Sequence, residues 1–367
     1  MRRLCPAVIC VLLVFWVCST APAQVQPPVL RVYCSAATEQ SLDLLSLDPA
    51  TGRLSKNYRL ATPGEPGALT FSPDGRFLFA SMRSTGRLCS FRIDPASGRP
   101  DPISVIEAGA DPAQISVDHS GRYLLTAYYV AAKVTVHAIG RDGTLSEQPV
   151  QTIETAKNAH AIVPDLQNRF VYAPHTGPNL IFQFSFDAKS GTLTPLSPDR
   201  LQRPQQTGPR HLVWHPTEPL AFINNEQGSS VTVYEKLPSG QLQPGHSETT
   251  LPPGFTGANS TAEIQIHPTG RFLYVANRGH DSIAVIRVED SGRRLTFVGC
   301  EPTEPTPRSF HIESTGRYLL AAGESSGRLQ VFEIHPDTGR LKSVSIESIG
   351  PRLWWVLTAP VLTSARP

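Results

Sequence analysis

Side chains able to exchange protons or hold negative charge recur beside short hydrophobic strands of this chain. One group lies in the links that enter these strands: Gln114, His160, Arg210, His211, Glu263, Arg308 and Arg352. A second group lies in loops further along each repeat: Arg83, Tyr128, Tyr129, His175, Glu226, Arg278, His280 and Glu324. A His or Glu can accept a proton from water, and an Arg can hold an anion through paired hydrogen bonds. These residue types therefore suit acid–base chemistry in which negative charge develops or is bound.

Several other chemistries lack their sequence motifs. The chain has no His or Cys spacing typical of a zinc site, no Gly-x-Ser-x-Gly elbow and no phosphate-cradling Gly loop. Its net charge is +2, with both signs interspersed, which argues against nucleic acid as a partner. His215, His267 and His335 precede Pro in turns, and His311 lies within a strand, so structural roles are expected for all four. We expect no metal and no cofactor.

The elements that must position these side chains come from a unit that recurs seven times along the 367 residues. Its turn signatures are typified by Ser72-Pro-Asp-Gly-Arg76 and Asp94-Pro-Ala-Ser-Gly98. Recurrence at roughly fifty residues is typical of solenoids, propellers or arrays. The unit from Pro209 to Thr250 contains four short strands joined by short links, which describes an antiparallel propeller blade. The sequence predicts an all-β fold, a seven-bladed β-propeller with four-stranded blades.

The order of strands predicts how the ring closes. Innermost strands are predicted at Gly67–Phe71, Ala113–Val117, Ala159–Val163, Arg210–Trp214, Ala262–Ile266, Arg308–Ile312 and Arg352–Val356. The strands near Leu30–Cys34 and Ser41–Leu47 have no innermost strand before them, so the C-terminal strand should join them and remove the open edges. Trp354 and Trp355 are expected to pack in that joint. An open array is the alternative, but it would need polar caps at both ends.

The predicted strand directions divide the links between two faces. The two repeated Gly turns join strands one to two and three to four, so they share one face. The remaining links open on the opposite face, and these carry the polar side chains described above. Because the innermost strands line the central channel, the sequence predicts a ring of polar groups around one mouth of that channel.

The N-terminal residues have the pattern of a secretory signal. Arg2 and Arg3 precede an apolar run from Ala7 to Val17, and Ala21-Pro-Ala23 supplies a cleavage site. The prediction is a signal peptide at 1–23, one propeller domain at 24–360 and a short tail at 361–367, with no stable membrane insertion after cleavage. An uncleaved anchor is the alternative. We expect a periplasmic or secreted protein.

Cysteine usage gives no sign of a disulfide framework. The part of the chain after the predicted cleavage site keeps Cys34, Cys89 and Cys300, an odd number spread over different repeats. Their expected role is that of small hydrophobic side chains, although one bridge stays open as an alternative.

Several segments resemble the bacterial β-propeller lactonases, whose namesake is the propeller-type 6-phosphogluconolactonase and whose relatives include a fungal carboxy-muconate lactonising enzyme. They include Ala159–Pro164, Gly208–His211, Asn225-Glu226, Thr261–Ile264 and Pro307-Arg308, and the most specific is Asn277–Ile283 after Arg271–Val275. The resemblance covers nearly all of the chain after the signal. It implies a metal-independent lactone site in the central cleft. The implied catalytic residues are His160, Arg210, Glu226 and Arg278, and the implied substrate contacts are His211, Glu263, His280, Arg308 and His175.

The expected reaction is attack of water on the ester carbonyl of a small-molecule lactone. His160 or Glu226 would be the base, and the sequence leaves that choice open. Arg210 and Arg278 would hold the oxyanion or a substrate carboxylate. The predicted secretion favours an unphosphorylated sugar lactone over the namesake substrate, and a monomer is expected.

Departures from the family pattern leave other functions open. Gln114, Tyr128 and Cys34 stand where the family usually has other residues, so one side of the cleft would bind something different or the activity would be lost. The first alternative function is a non-enzymatic platform that binds a ligand or protein. The second is a lactonising cycloisomerase, which runs the reverse chemistry with the same groups.

Overall fold

The structure, a computed structural model, describes residues 30–359. These form 28 β-strands and one three-residue 3-10 helix, Asp290–Gly292. The strands make seven four-stranded antiparallel sheets, which confirms the predicted seven-bladed propeller. The predicted signal at 1–23 and tail at 361–367 lie outside the described residues. No helix in the described part is long and apolar enough to cross a bilayer.

Each sheet is one blade of the propeller, numbered here in chain order. Blade 1 contains β1 (Leu30–Ala36), β2 (Ser41–Leu47) and β3 (Leu54–Ala61); blade 2 contains β4 (Pro66–Phe71), β5 (Phe77–Met82), β6 (Arg87–Ile93) and β7 (Pro100–Glu107). Blade 3 contains β8 (Pro112–Val117), β9 (Tyr123–Tyr128), β10 (Lys133–Ala138) and β11 (Gln151–Glu154); blade 4 contains β12 (Val163–Pro164), β13 (Phe170–His175), β14 (Leu180–Asp187) and β15 (Thr192–Gln202). Blade 5 contains β16 (Pro209–Trp214), β17 (Leu220–Asn225), β18 (Ser230–Lys236) and β19 (Leu242–Thr249); blade 6 contains β20 (Ser260–Ile266), β21 (Phe272–Arg278), β22 (Ser282–Glu289) and β23 (Arg294–Pro302). Blade 7 contains β24 (Pro307–Ile312), β25 (Tyr318–Gly323), β26 (Arg328–Ile334) and β27 (Leu341–Ser348), and β28 (Leu353–Thr358) returns to blade 1.

The ring closes through pairing between the two ends of the described chain, as predicted. Strand β28 is the innermost strand of blade 1 and pairs antiparallel with β1, with Cα partners such as Cys34 and Val356. Leu353 and Val356 are fully or almost fully buried in a cluster that includes side chains of blades 1 and 7. Burying side chains of this size contributes roughly 2 kcal/mol each, so the seam is held by packing as well as by backbone pairing.

The repeated Gly turns tie neighbouring blades together. The hydroxyl of Tyr33 in blade 1 donates to the carbonyl of Gly98 in blade 2 at 2.6 Å, and Tyr274 in blade 6 donates to Gly339 in blade 7 at 2.9 Å. Gly98 has φ of 78°, a left-handed conformation that glycine adopts without strain. His267 Nε2 contacts the Gly316 carbonyl of the next blade at 2.9 Å. This face of the propeller is therefore built from contacts that hold blades together.

The innermost strand of blade 4 is shorter than predicted. Instead of a strand over Ala159–Val163, only Val163–Pro164 pairs regularly, and Ala159 forms an isolated bridge with His175. Pro174 of β13 faces this segment: its carbonyl accepts from the His160 N–H at 3.0 Å, but a proline has no N–H to complete the pair of ladder bonds. The Ile162 N–H donates to Gln114 Oε1 at 2.8 Å, and Ser116 Oγ donates to the Ile162 carbonyl at 2.5 Å, which ties the segment to blade 3.

Six of the seven innermost strands carry a register irregularity near their first residues. The breaks fall between Pro66 and Leu69, Pro112 and Gln114, Pro209 and Leu212, Thr261 and Ile264, Pro307 and Ser309, and Leu353 and Trp355. A bulge interrupts the strict alternation of side chains and can turn two successive residues toward one side. All six lie at the channel mouth opposite the Gly turns, where the sequence placed its polar groups.

Candidate active site

The bulge of blade 5 brings two neighbouring residues into the same site. Arg210 and His211 follow each other in the chain, yet Arg210 Nη1 and His211 Nε2 are 3.2 Å apart. A regular strand would send the two side chains to opposite faces. Arg210 is 1% exposed and also donates to the Ala262 carbonyl of blade 6.

Asn224 holds this bulge against the one in blade 6. Its Oδ1 accepts from the His211 N–H at 2.9 Å, and its Nδ2 donates to Thr261 Oγ1 at 2.9 Å and to the Ala262 carbonyl at 3.0 Å. The side chain is fully buried. One Asn therefore fixes the positions of backbone that carries site residues in two blades.

The four residues predicted to be catalytic belong to one cluster of contacting side chains. His160 Nδ1 lies 3.2 Å from His211 Nε2, and His211 in turn contacts Arg210. Arg210 Nε lies 3.4 Å from Glu226 Oε2, while Arg278 Nη2 donates to Glu226 Oε1 at 2.6 Å. Glu226 reaches from a loop of blade 5 to the end of β21 in blade 6, so the cluster crosses three blades.

The charges in this cluster favour an ionised Glu226. Burial alone would raise its pKa, but the guanidinium groups of Arg210 and Arg278 outweigh that effect and hold the pKa below its usual value. Burial lowers the pKa of Arg210 to about 9, against the opposing effect of Glu226. At neutral pH Arg210 is therefore a cation, and Glu226 is an anion held between two arginines.

His160 differs from Glu226 because it is neutral. Burial first, and then the positive charge of Arg210, keep the pKa of His160 well below the ordinary 6.5. Burial also lowers the pKa of His211. Tyr129 and His160 pack in a T-shaped arrangement, with 5.6 Å between the ring centres.

Two members of this cluster, His160 and Arg210, border a narrow cleft. His160, Arg210 and Arg308 line one side, and the lining continues through Arg83, Trp354, Trp355, Gly67, Ala68 and Ala113. Gly67, Ala68 and Ala113 lie in the bulges of blades 2 and 3, at places comparable to Arg210 in blade 5. The small residues Gly67, Ala68 and Ala113 leave space in blades 2 and 3, whereas Arg210 fills the comparable position in blade 5. The cleft is therefore displaced toward blades 1, 2 and 3.

Trp354 is the contact that the sequence prediction missed. It was expected to pack in the ring joint, but it also lines the cleft, with Arg83 and Arg308 over its ring at 5.4 and 5.3 Å. Its Nε1 donates to Glu324 Oε1 at 2.8 Å. The position of Trp354 and Trp355 on an innermost strand, directly after Arg352, is the signal that could have indicated this.

Of the five predicted substrate contacts, Arg308 lines the cleft, His211 and Glu263 join the cluster around His160 without lining it, and the other two lie apart. His175 is fully buried, and its ring nitrogens bond to the Ala173 carbonyl and to Thr155 Oγ1 at 2.8 and 3.1 Å. His280 bonds to Ser282 Oγ at 2.7 Å and packs against Phe255. Both side chains bond to neighbouring residues away from the cleft, so neither is part of the proposed site.

The three departures from the family pattern also lie away from the cleft lining. Tyr128 and Cys34 are fully buried core residues, and Gln114 bonds to backbone of Ile115 and Ile162. Cys34, Cys89 and Cys300 are all free thiols in the structure. These residues therefore affect packing and strand pairing around the site more directly than contact with a ligand.

A larger groove lies on the face of the Gly turns. Its lining includes Ser72, Arg76, Ser120, Arg122 and Arg141. These belong to the turns that connect strands, whereas the smaller cleft is lined by the buried His160 and Arg210. Buried ionisable groups with displaced pKa values mark functional sites, so we place the candidate site in the smaller cleft. Within 30–359, no group of three or more His, Cys, Asp or Glu side chains is arranged to hold a metal ion.

The fold and the cleft place the protein in a class, the β-propellers with a polar site at one mouth of the central channel. Comparison with known proteins gives the family. Residues 31–358 match the family described as "Lactonase, 7-bladed beta-propeller". The chain belongs to this family.

Individual relatives carry names from the same chemistry. The chain is 32% identical over 326 residues to a 6-phosphogluconolactonase of Pectobacterium carotovorum, covering 89% of this chain and 97% of that enzyme. A 6-phosphogluconolactonase of Klebsiella pneumoniae is 31% identical over 327 residues, with 89% and 98% covered. Among solved structures, the periplasmic gluconolactonase of Pseudomonas aeruginosa superimposes with a TM-score of 0.84 at 27% identity, covering 91% of this chain and 100% of that one.

Proposed function

We propose that this protein hydrolyses a sugar lactone in the central cleft, with His160 as the general base. The observation that carries the proposal is the single cluster of His160, Arg210, Glu226 and Arg278 beside the cleft, in a chain of the lactonase family. The names of the relatives, 6-phosphogluconolactonase and gluconolactonase, support a sugar-derived lactone as the substrate class.

The surroundings of each candidate support His160 over Glu226, the two bases that the sequence left open. Glu226 accepts from Arg278 and faces Arg210, and it is not among the residues that line the cleft. His160 is neutral and lines the cleft. We therefore assign the base to His160 and the orientation of the two arginines to Glu226.

The reaction then uses one proton shuttle and one fixed cation. His160 takes a proton from water as the water oxygen attacks the lactone carbonyl, and Arg210 stabilises the negative charge that develops on the carbonyl oxygen. When the tetrahedral intermediate collapses, the ring C–O bond breaks and His160 returns its proton to the leaving oxygen. The product is the open-chain hydroxy acid, and no other reactant is consumed.

The identity of the sugar is a finer proposal. The predicted signal at 1–23 favours an unphosphorylated lactone met outside the cytoplasm, and the periplasmic gluconolactonase relative is consistent with that choice. Trp354, with Arg83 and Arg308 over its ring, would contact the part of the substrate that does not react. We further propose that the protein acts as a periplasmic or secreted monomer.

The test is hydrolysis of glucono-1,5-lactone and its 6-phosphate by the purified protein. Proton release at constant pH is measured with the spontaneous rate subtracted. The variant His160→Asn should lower kcat/KM by about 100-fold or more, the usual contribution of a general base. His335→Asn, at an exposed position in a Gly turn, is the matched control and should retain full activity.

The outcome also separates the alternative functions. If the wild type accelerates hydrolysis of no sugar lactone, the proposal fails and a binding platform is favoured. If it instead interconverts a muconate-type acid and its lactone, the cycloisomerase hypothesis is favoured. Full hydrolysis by His160→Asn would reject His160 as the base while leaving the reaction class intact.

A further inference from the structure

His211 lies between His160 and a buried carboxylate. Its Nε2 is 3.2 Å from His160 Nδ1, and its Nδ1 is 3.2 Å from Glu263 Oε1. His211 is 5% exposed and Glu263 is 6% exposed. The sequence predicted both as substrate contacts, but neither is among the residues that line the cleft.

The hydrogen-bond partners of His211 determine which of its nitrogens carries the proton. Arg210 Nη1 lies 3.2 Å from His211 Nε2, and a guanidinium can only donate. His211 Nε2 must therefore be the unprotonated acceptor. The proton of the neutral ring is then on Nδ1, where it donates to Glu263 Oε1.

The same reasoning extends one residue further, to His160. Because His211 Nε2 is an acceptor, His160 Nδ1 must be the donor in the contact between the two rings. Both donors to His211 Nε2 lie at 3.2 Å, the long end of the ordinary range, as expected when one lone pair serves two donors. His160 Nε2, on the other side of its ring, is left with the free lone pair.

Glu263 is itself fixed in place. Its Oε1 also accepts from the Ile264 backbone N–H at 3.2 Å, and its Oε2 has no hydrogen-bond partner within the part of the chain that the structure describes. A buried carboxylate held beside a His ring orients that ring and favours positive charge along the pair.

We propose that Glu263 and His211 are positioning residues that lock His160 in the tautomer with Nδ1 protonated and Nε2 free to act as the base. The inference rests on the proposed function for its kinetic consequence only, since the tautomer itself exists without substrate. When His160 takes the proton from water at Nε2, its Nδ1–H stays bonded to His211, and Glu263 offsets part of the new positive charge through His211. This role differs from substrate binding because neither residue has to touch the ligand.

The other charged and titratable groups around His160 act in a different direction. Arg210, Arg308 and Arg83 all disfavour its protonated form, as does His211. Tyr129 packs against the His160 ring at a nearly perpendicular angle. Glu263 is thus the carboxylate that reaches His160 through a hydrogen-bonded chain.

The direct test is the tautomer of His160 measured by NMR of protein labelled with ¹⁵N-histidine. The spectrum of His160→Asn identifies the His160 signals by their loss. The wild type should show Nδ1 protonated and Nε2 unprotonated at neutral pH. A His160 ring protonated at Nε2 would overturn the inference, whether or not the protein hydrolyses a lactone.

A pair of variants at His211 gives the kinetic test. His211→Gln places an amide oxygen near the former Nε2 and can still accept from His160, so kcat should stay within about threefold of the wild type. His211→Leu removes the acceptor, and kcat should fall about 10- to 100-fold with little change in KM, in line with loss of oriented acid–base catalysis. Equal activity of the two variants, in either direction, would contradict the positioning role.

Glu263→Gln covers the case in which His211→Leu does not fold. The amide oxygen of this variant can still accept from Ile264 and His211, so the His160 tautomer should be unchanged in the NMR spectrum while kcat falls about tenfold through loss of the charge. Unchanged kcat in this variant would show that the buried carboxylate has no part in the reaction.

Discussion

At the scale of single residues, each arginine near the cleft is paired with a carboxylate. Glu226 forms ion pairs with Arg210 and Arg278, and Arg308 Nη1 lies 3.4 Å from Glu324 Oε2. Arg83 Nε contacts Asp111 at 2.6 Å. Pairing is what permits this many guanidinium groups to lie half-buried or buried together, because an unpaired buried charge is costly. An anionic transition state would meet cations whose orientation is already fixed.

The lowered pKa of His160 predicts the pH dependence of the proposed reaction. A base must be unprotonated, so activity is present above the pKa of His160 and is lost as pH falls through it. Because burial and Arg210 put that pKa well below 6.5, the acid limb of kcat/KM should have its midpoint below pH 6.5. The measurement is kcat/KM from pH 4 to 8 after subtraction of spontaneous hydrolysis. A midpoint above 6.5 would assign the limb to another group.

Glu226 should matter for stability as well as for activity. Glu226→Ala leaves the almost fully buried Arg210 without its counter-charge and should lower the free energy of unfolding by about 3 kcal/mol. Urea unfolding measures the change. The control is Glu235→Ala, since Glu235 and Arg293 form an exposed pair 3.8 Å apart whose loss should have an effect near zero. Equal effects of the two variants would contradict the electrostatic account.

Residue types and link positions predicted a ring of polar groups at one channel mouth, and the family resemblance selected four of them as catalytic. His160, Arg210, Glu226 and Arg278 all come from links on one face, and the structure brings them together. The role of His211 could not be predicted, because a regular strand would have turned it away from Arg210. Side chains of a regular strand point alternately to its two faces. A bulge interrupts this alternation, and the sequence carries no clear signal for the bulge.

At the scale of elements, the bulges at the starts of the innermost strands direct successive side chains into the site. Short hydrophobic runs followed by recurrent turns predicted most of these strands to within two residues. The prediction failed for β12, where Pro174 of the facing strand β13 has no N–H to donate to the segment around His160. The hydrophobic pattern of a strand does not reveal which of its residues will face a proline of the next strand.

The adjacent residues Asn224 and Asn225 test the importance of the bulge. Asn224 bonds across to Thr261 and Ala262 of blade 6, whereas Asn225 bonds within blade 5 to Ser230 and Thr232. Asn224→Ala should cost about 2 kcal/mol of stability and also lower kcat, because the His211 backbone loses its acceptor.

Asn225→Ala is the matched control at the next position. It should destabilise the protein by a similar amount, since its side chain is almost as deeply buried, but leave kcat per folded molecule unchanged. Thermal unfolding and kcat are measured on both variants. Loss of kcat in both would mean that the site responds to stability in general and not to the bulge.

At the scale of the whole molecule, the strand that closes the ring also builds the cleft. Strand β28 pairs with β1 and carries Trp354 and Trp355, which line the cleft together with Arg210. A chain that stops after Pro351 should therefore lose cooperative unfolding and all activity together, measured by calorimetry and by lactone hydrolysis. A chain that stops after Ala359, just beyond the matched family segment that ends at 358, should keep both. Activity in the shorter chain would show that the site forms without closure of the ring by β28.

The seam at blade 1 also sets the order in which the cleft can come into existence. A ribosome adds β28 after every other described strand, so a nascent chain can already contain His160, Arg210 and Glu226 in nearly finished blades while one wall of the cleft is still missing. The enzyme would be silent until translation has passed Trp355 and blade 1 is complete. A circular permutation could join β28 directly to β1 and open the chain between blades 3 and 4. The blade completed last would then lie beside His160 instead of at blade 1.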